Sequence, residues 1–329
     1  MPLLHVRRER LTGKGCCNKT KSNNVKKKAI PHIHIDTLKT YNDLLGFPKP
    51  RNPLFSIQRF EDFPLLPADG PIKLTMDFYQ ITFKKNCGNK IIYGQSLYDF
   101  DEGVLSFFSP KQVVIKEPDQ LSNTGFIILI HPEYLRGHAL ESKIKSYGFF
   151  DYAVNEALIL SAEEEDFIQN IFIQLEKEFN RAIDHLSQDV ILSNLDLLLT
   201  YSNRFYTRQF ITRKQHYNNL LVKFEALLDE LFAESTLAEK GLPNVADIAA
   251  AFHLSSRYFS DLIKEHTGRT TQQHIHDKLI DKAKEMLSAT DLSVSEIAYQ
   301  LGFQHSQSFS KLFKAKTDQS PLAFRAGFN

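Results

Sequence analysis

Cysteine is scarce in this chain: Cys16, Cys17 and Cys87 are the only three in 329 residues, an odd count with no paired-ligand spacing. That excludes a disulfide framework and gives no support to a cysteine-based zinc site. No window approaches the roughly 18 consecutive apolar residues that a membrane-spanning helix requires. The opening MPLLHVRRERLTG also lacks the apolar core of a secretory signal. The expectation is a cytoplasmic protein with no membrane partner. Phosphate-binding glycine loops, nucleophile elbows and paired-carboxylate motifs are missing too, so no catalytic residue is nominated and no cofactor is implied. A length of 329 residues, 42% hydrophobic and 24% charged, suits about two soluble domains.

A net charge of +1 hides an asymmetry. Residues 1–28 hold nine Lys or Arg against one Glu, which leaves 31 basic and 38 acidic groups in the rest of the chain. That segment, with Gly13, Gly15, Asn18, Ser22, Asn23 and Asn24 and hardly an apolar face, reads as a disordered basic tail. Two other readings stay open: an arm that touches nucleic acid, and a true translation start at Val25.

Between about 75 and 130 the pattern is strand-like, with FYQITF from 78, IIYGQSLY from 91, VLSFF from 104, QVVI from 112 and GFIILI from 125. Turn residues separate these runs, and the spacing suits an antiparallel sandwich or barrel. Helices follow. Ser161 and Glu164 form a capping box ahead of an apolar face of Phe167, Ile168, Ile171 and Leu175. In SQDVILSNLDLLLTYSNRFY the stripe of Val190, Ile191, Leu195, Leu198, Leu199, Phe205 and Tyr206 is wider than one neighbouring helix requires. It either packs within its own domain or, around Leu195, Leu198 and Leu199, forms a dimerisation face. TRQFITRKQHYN at 207–218 reads as a polar linker. A new helix beyond it puts Leu220, Leu221, Phe224, Leu227, Leu228, Leu231 and Phe232 at core spacing.

The C-terminal third contains the same two-helix pattern twice. NVADIAAAFHLSSRYFSDLIKEHT and SVSEIAYQLGFQHSQSFSKLFKAKT align with Asn244 on Ser293, Asp247 on Glu296, Ile248 on Ile297 and Ala249 on Ala298. Each copy opens on a cap with an acid three residues on. Val245, Ile248, Ala249 and Phe252, like Val294, Ile297, Ala298 and Leu301, form one buried face. Gly302 supplies a tight turn in the second copy; His253 occupies its place in the first, which predicts a strained or wider turn. One extra residue then shifts the register, so that Phe259, Ser260, Leu262 and Lys264 match Phe309, Ser310, Leu312 and Lys314.

Two helix-turn-helix units in one chain can occupy successive major grooves, which recur about every 34 Å. The candidate DNA-contacting residues are Ser256, Arg257, Ser260, Asp261 and Lys264 in the first unit. In the second they are His305, Ser306, Gln307, Ser310, Lys311 and Lys314. Net charge does not make this case, because residues 221–329 carry 12 basic and 14 acidic groups; only the second unit is locally basic, with three Lys and no acid from His305 to Lys316.

KAKEMLSATDLSVSEIAYQLGFQHSQSFSKLFKAKTDQSPLAFR resembles the C-terminal signature of the AraC/XylS family of bacterial transcription regulators, and the resemblance extends over residues 217–329. It implies two helix-turn-helix units joined by a helix, often behind a cupin-like β domain for sensing or dimerisation and a helical pair. The expected fold class is therefore α+β: tail 1–28, cupin-like regulatory β domain 29–160, dimerisation helices and linker 161–216, DNA-binding domain 217–329. The implied function is a homodimeric activator of transcription that binds double-stranded DNA, works with RNA polymerase and responds to a small-molecule effector. Two departures stand out. Asp318 replaces the family's usual glycine at a helix end, a position Asp tolerates. Asp261 stands where many members present a basic or amide residue, and a carboxylate near phosphate repels.

The rival readings are a cupin-type metalloenzyme and a dimeric scaffold. His32 and His34, with Asp36 beyond, are the metal candidates, but no partner motif follows them, and His274 and His276 lie on different faces of the spacer helix. No metal site is assigned.

Overall fold

The computed structural model describes residues 30–63, 72–85, 91–93, 96–98, 103–116, 124–153, 156–212, 214–233, 237 and 241–327. The basic tail, Cys16, Cys17, Cys87 and the alternative start at Val25 lie outside them. The fold class is α+β, with sheets in the N-terminal half and a helical C-terminal domain.

The strands are β1 (His32–Ile35), β2 (Phe55–Arg59), β3 (Ile72–Met76), β4 (Tyr79–Lys85), β5 (Ile91–Tyr93), β6 (Ser96–Tyr98), β7 (Val104–Phe108), β8 (Val114–Lys116), β9 (Thr124–Ile130) and β10 (Leu158–Ile159). They form a sheet of order β10-β7-β4-β9-β2, a second of order β1-β3-β8 and the hairpin β5-β6. In the larger sheet every pairing is antiparallel. Strand β9 shows why GFIILI is apolar without alternation. Phe126, Ile128 and Ile130 face a core shared with the helices, whereas Ile127 and Leu129 face Leu74, Met76 and Phe78 beneath the smaller sheet. A central strand covered on both sides needs apolar residues on both.

Helix α1 (Leu38–Leu45) closes the smaller sheet, its Leu38 and Tyr41 buried with Ile35. The other face of the large sheet carries α2 (Ala139–Ser146), α3 (Ala162–Asn180) and α4 (Ser187–Thr212). The capping box of α3 forms as expected: Ser161 Oγ accepts from the Glu164 amide and Glu164 accepts from the Ser161 amide. Gln209, 1% exposed, satisfies the edge of β10 by accepting from the Ile159 amide and donating to the Ala157 carbonyl.

Two expectations need correction. Leu195, Leu198 and Leu199 are each 0% exposed and belong to the core of their own domain. Within the chain this stripe is covered because α4 meets α2, α3, β10 and the C-terminal domain. The polar stretch 207–218 is helical on both sides of position 213, since α4 runs to Thr212 and α5 (Lys214–Leu231) follows. Neither Gly nor Pro interrupts it, so polarity alone does not break the helix.

His32 and His34 converge on one hydroxyl, Thr75 Oγ1, at 3.0 and 3.1 Å, and His34 also lies 3.4 Å from Asp77. Among the described residues no group of three or more His, Cys, Asp or Glu side chains is placed to hold a metal ion. None of the described helices is long and apolar enough to cross a membrane.

Candidate nucleic-acid interface

The C-terminal domain continues with α6 (Val245–Ala251), α7 (Ser256–Thr267), α8 (Thr271–Ala289), α9 (Val294–Gln300), α10 (Ser306–Thr317) and α11 (Pro321–Ala326). The pairs α6/α7 and α9/α10 are the two copies, and α8 is the 19-residue spacer. At 1.5 Å per residue it spans about 28 Å. The duplication is reproduced in detail. Asn244 and Ser293 each cap their helix by accepting from the amide three residues on. Gly268 and Asp318 each end the second helix in the left-handed conformation, φ 73° and 59°, and donate to the carbonyls of Lys264 and Lys314.

Between the paired helices the copies differ as the sequence suggests. Gly302 has φ 84°, and His253 holds the same left-handed region at 58°. An L-residue there is disfavoured by roughly 1–2 kcal/mol. His253→Gly is therefore expected to raise the urea midpoint, by up to about 1 kcal/mol of stability once the added freedom of the unfolded chain is deducted. An unchanged or lower midpoint would show that this turn carries no strain.

In the second unit Phe309 and Phe313 are buried, while His305, Gln307, Lys311 and Lys314 are exposed and Ser306 and Ser310 half-buried along the outer side. The nearby Lys316 is held by Asp277 of the spacer at 3.0 Å, and Asp277 also accepts from Arg269. Neither Lys311 nor Lys314 makes an ion pair with another described residue, so both ammonium groups face solvent.

The first unit is arranged differently. Phe259, Leu262 and Ile263 are buried as the duplication requires, and Ser256 and Lys264 are exposed. Arg257 pairs with Asp261 at 3.2 Å, and Asp261 Oδ2 accepts from the Tyr152 hydroxyl at 2.9 Å. Burial, together with the neighbouring Asp261 carboxylate, pushes the Tyr152 phenol well above its ordinary range. Tyr258 is 0% exposed, edge-on to Tyr152 and to Phe210. At the start of α7, Glu156 accepts from both the amide and the hydroxyl of Ser255. Burial raises this carboxyl, while those bonds and one from the Ala153 amide oppose the shift. A cleft of about 310 Å³ between the domains is lined by Phe149, Tyr206 and Phe210 on one side and by Arg257, Asp261 and Lys264 on the other. Nothing in the single-helix pattern announced this. The readable signal was the mismatch between copies, Tyr258 against Ser308 and Asp261 against Lys311.

Residues 248–327 match a family model described as a helix-turn-helix domain. The C-terminal domain is a helix-turn-helix domain, similar to those of AraC-type regulators. The match covers about a quarter of the chain. Curated relatives are similar over longer stretches than this match. The HTH-type transcriptional regulator YfiF of Bacillus subtilis is 33% identical over 146 residues, 44% of this chain and 42% of its own length. The HTH-type transcriptional activator RhaS of an Enterobacter species is 30% identical over 160 residues, 49% of this chain and 54% of its own. The chain thus spans about half the length of these curated relatives, both named as regulators of transcription. Among solved structures, the C-terminal domain of the response regulator yesN from Fusobacterium nucleatum is 26% identical, with a TM-score of 0.29, covering 32% of this chain and 98% of that one.

Proposed function

We propose that this chain is a sequence-specific DNA-binding transcription regulator whose two helix-turn-helix units address successive major grooves. The observation that carries the proposal is the duplicated unit whose second copy presents Gln307, Lys311 and Lys314 to solvent on one helix, with buried Phe309 and Phe313 behind them. A Gln amide donates and accepts at once and matches the N6/N7 edge of adenine; a Lys further along the helix suits a phosphate, which carries no base information. Arg257, Ser260 and Lys264 are proposed to serve the first unit in the same way. Activation, with RNA polymerase as partner, is proposed by extension from RhaS, which is named an activator. A small-molecule effector of the N-terminal domain and a cytoplasmic location belong to the same proposal. So does a homodimer, for which support comes from Leu186, Val190 and Leu197: they are 52%, 40% and 41% exposed and share one side of α4 and its approach.

Gln307→Ala is expected to cost about 1–3 kcal/mol on the preferred site and to relax preference at one base position. Lys314→Ala is expected to weaken all sequences alike and reduce the salt slope by about 1. Titrations of each variant against the preferred and scrambled duplexes at several salt concentrations distinguish the two. Equal weakening on every sequence by both substitutions would remove α10 from the role of base reader.

A further inference from the structure

The duplicated units provide an internal control. The two second helices share Phe259 with Phe309, Leu262 with Leu312 and their left-handed ends, so a position where only the first copy turns a different residue onto the N-terminal domain points to a task of that copy. At the position of exposed Ser308 the first copy has Tyr258, wholly buried, and at that of exposed Lys311 it has Asp261. Both departures dock on the N-terminal domain. Tyr258 stands with its ring centroid 5.0 Å from Tyr152 and 5.1 Å from Phe210, and Asp261 accepts the Tyr152 hydroxyl. Three further bonds join the same surfaces, two from the Ser255 amide and hydroxyl to Glu156 and one from His266 to the Phe210 carbonyl. The approach is close enough that a Cβ on Gly148 would stand 2.3 Å from Asp261 Oδ2 and 2.5 Å from Arg257 Nε.

This docking overlaps the surface that DNA would need. Arg257, Asp261 and Lys264, three of the five DNA-contact candidates of the first unit, line the cleft opposite Phe149, Tyr206 and Phe210. A duplex cannot lay its major groove over that side of α7 while the N-terminal domain occupies it. Asp261, a poor neighbour for phosphate, is an apt acceptor for a buried tyrosine hydroxyl.

We infer that the docked arrangement is a silenced form, in which the N-terminal domain masks the first reading helix through Tyr152, Glu156 and the buried Tyr258, and that release of this contact admits the first unit to DNA. The inference rests on the regulator reading proposed above. In the docked form the second unit alone grips DNA; in the released form both do, and affinity rises by the factor by which the released population was short of unity.

The test uses the full chain and a duplex it selects from a random pool. Two variants loosen the contact without replacing a DNA-contact candidate. Gly148→Leu wedges the approach, and Tyr258→Ser installs the residue of the second copy. Hydrogen exchange of the α7 amides reports docking, thermal melting reports folding, and hydroxyl-radical footprinting reports how many grooves are covered. The unaltered chain is expected to protect α7 and to cover one major groove. Each variant is expected to remain folded, to exchange faster along α7, to bind about tenfold more tightly or better, and to extend its footprint to two successive grooves. The inference is overturned if α7 exchanges freely in the unaltered chain, if both variants leave its protection unchanged, or if α7 is freed with no gain in affinity or footprint. If selection enriches no sequence at all, the regulator reading falls and takes this one with it, an outcome distinct from the others because the exchange data are obtained without DNA.

Discussion

Leu198→Asp is expected to unfold the N-terminal domain and not to separate two copies of it. Leu198 is 0% exposed in the same core as Ile168, Phe172 and Leu195. A carboxylate placed there has no cation or donor to meet it, and leaving such a charge in an apolar core costs several kcal/mol or more. That is comparable with the whole stability of a typical domain. Circular dichroism and urea titration check this: a variant that keeps a native spectrum and midpoint would show the leucine less enclosed than its exposure states. Leu197→Asp is the companion. Its parent side chain is 41% exposed, so the fold is expected to survive within about 0.5 kcal/mol, as surface substitutions usually do. Sedimentation of Leu197→Asp then reads self-association without the confusion of unfolding.

The second large effect is expected at Gly302. Its φ of 84° lies in the region that β-branched residues occupy least well. A Cβ would also meet backbone: the Leu242 amide nitrogen at 2.8 Å and the Gly241 carbonyl carbon and Cα at 2.9 and 3.0 Å. Backbone atoms cannot swing aside as a side-chain tip does, so the turn must open and pull Ile297 and Ala298 from their buried places. Gly302→Val is expected to destabilise the domain by about 3 kcal/mol or more, joining left-handed strain of roughly 1–2 kcal/mol to the clash. Urea denaturation measures it, and a loss below about 1 kcal/mol would mean that the 241–242 backbone yields. The contrast with His253→Gly, where the same exchange of residue classes runs in the stabilising direction, makes the pair a test of the duplication itself.

How much of this was legible in the chain varies by element, for physical reasons. The helix-turn-helix units were readable because caps, apolar spacing and turn residues all act within a dozen positions, and the second copy repeated each signal. Asp318 at a helix end and His253 at a turn both stand out in the sequence, since left-handed backbone selects residues locally. Strands β1, β2, β3 and β10 were not anticipated. HIHI is short and polar in pattern, and its partner β3 lies some forty residues away. The width of the α4 stripe was seen, but its cause was not. An apolar surface records that something covers it, never what, and four elements of the same chain proved sufficient. Of the candidate DNA residues, the second unit's lie on an exposed face as expected, whereas Asp261 and Arg257 are engaged with each other and Asp261 with Tyr152. Long-range docking leaves its trace in residues that are odd for their place, and Tyr258 and Asp261 are two of them.

The rings between the domains form a continuous series, from Phe107 and Phe149 through Tyr206 to Tyr152 and on to Tyr258 and Phe210. A joint built chiefly of aromatic burial draws its strength from water released at the contact, and that contribution fades on cooling and carries a large heat-capacity change when the surfaces part. The aromatic part of the contact that holds α7 is therefore expected to weaken on cooling, which exchange of the α7 amides measured across temperature would read.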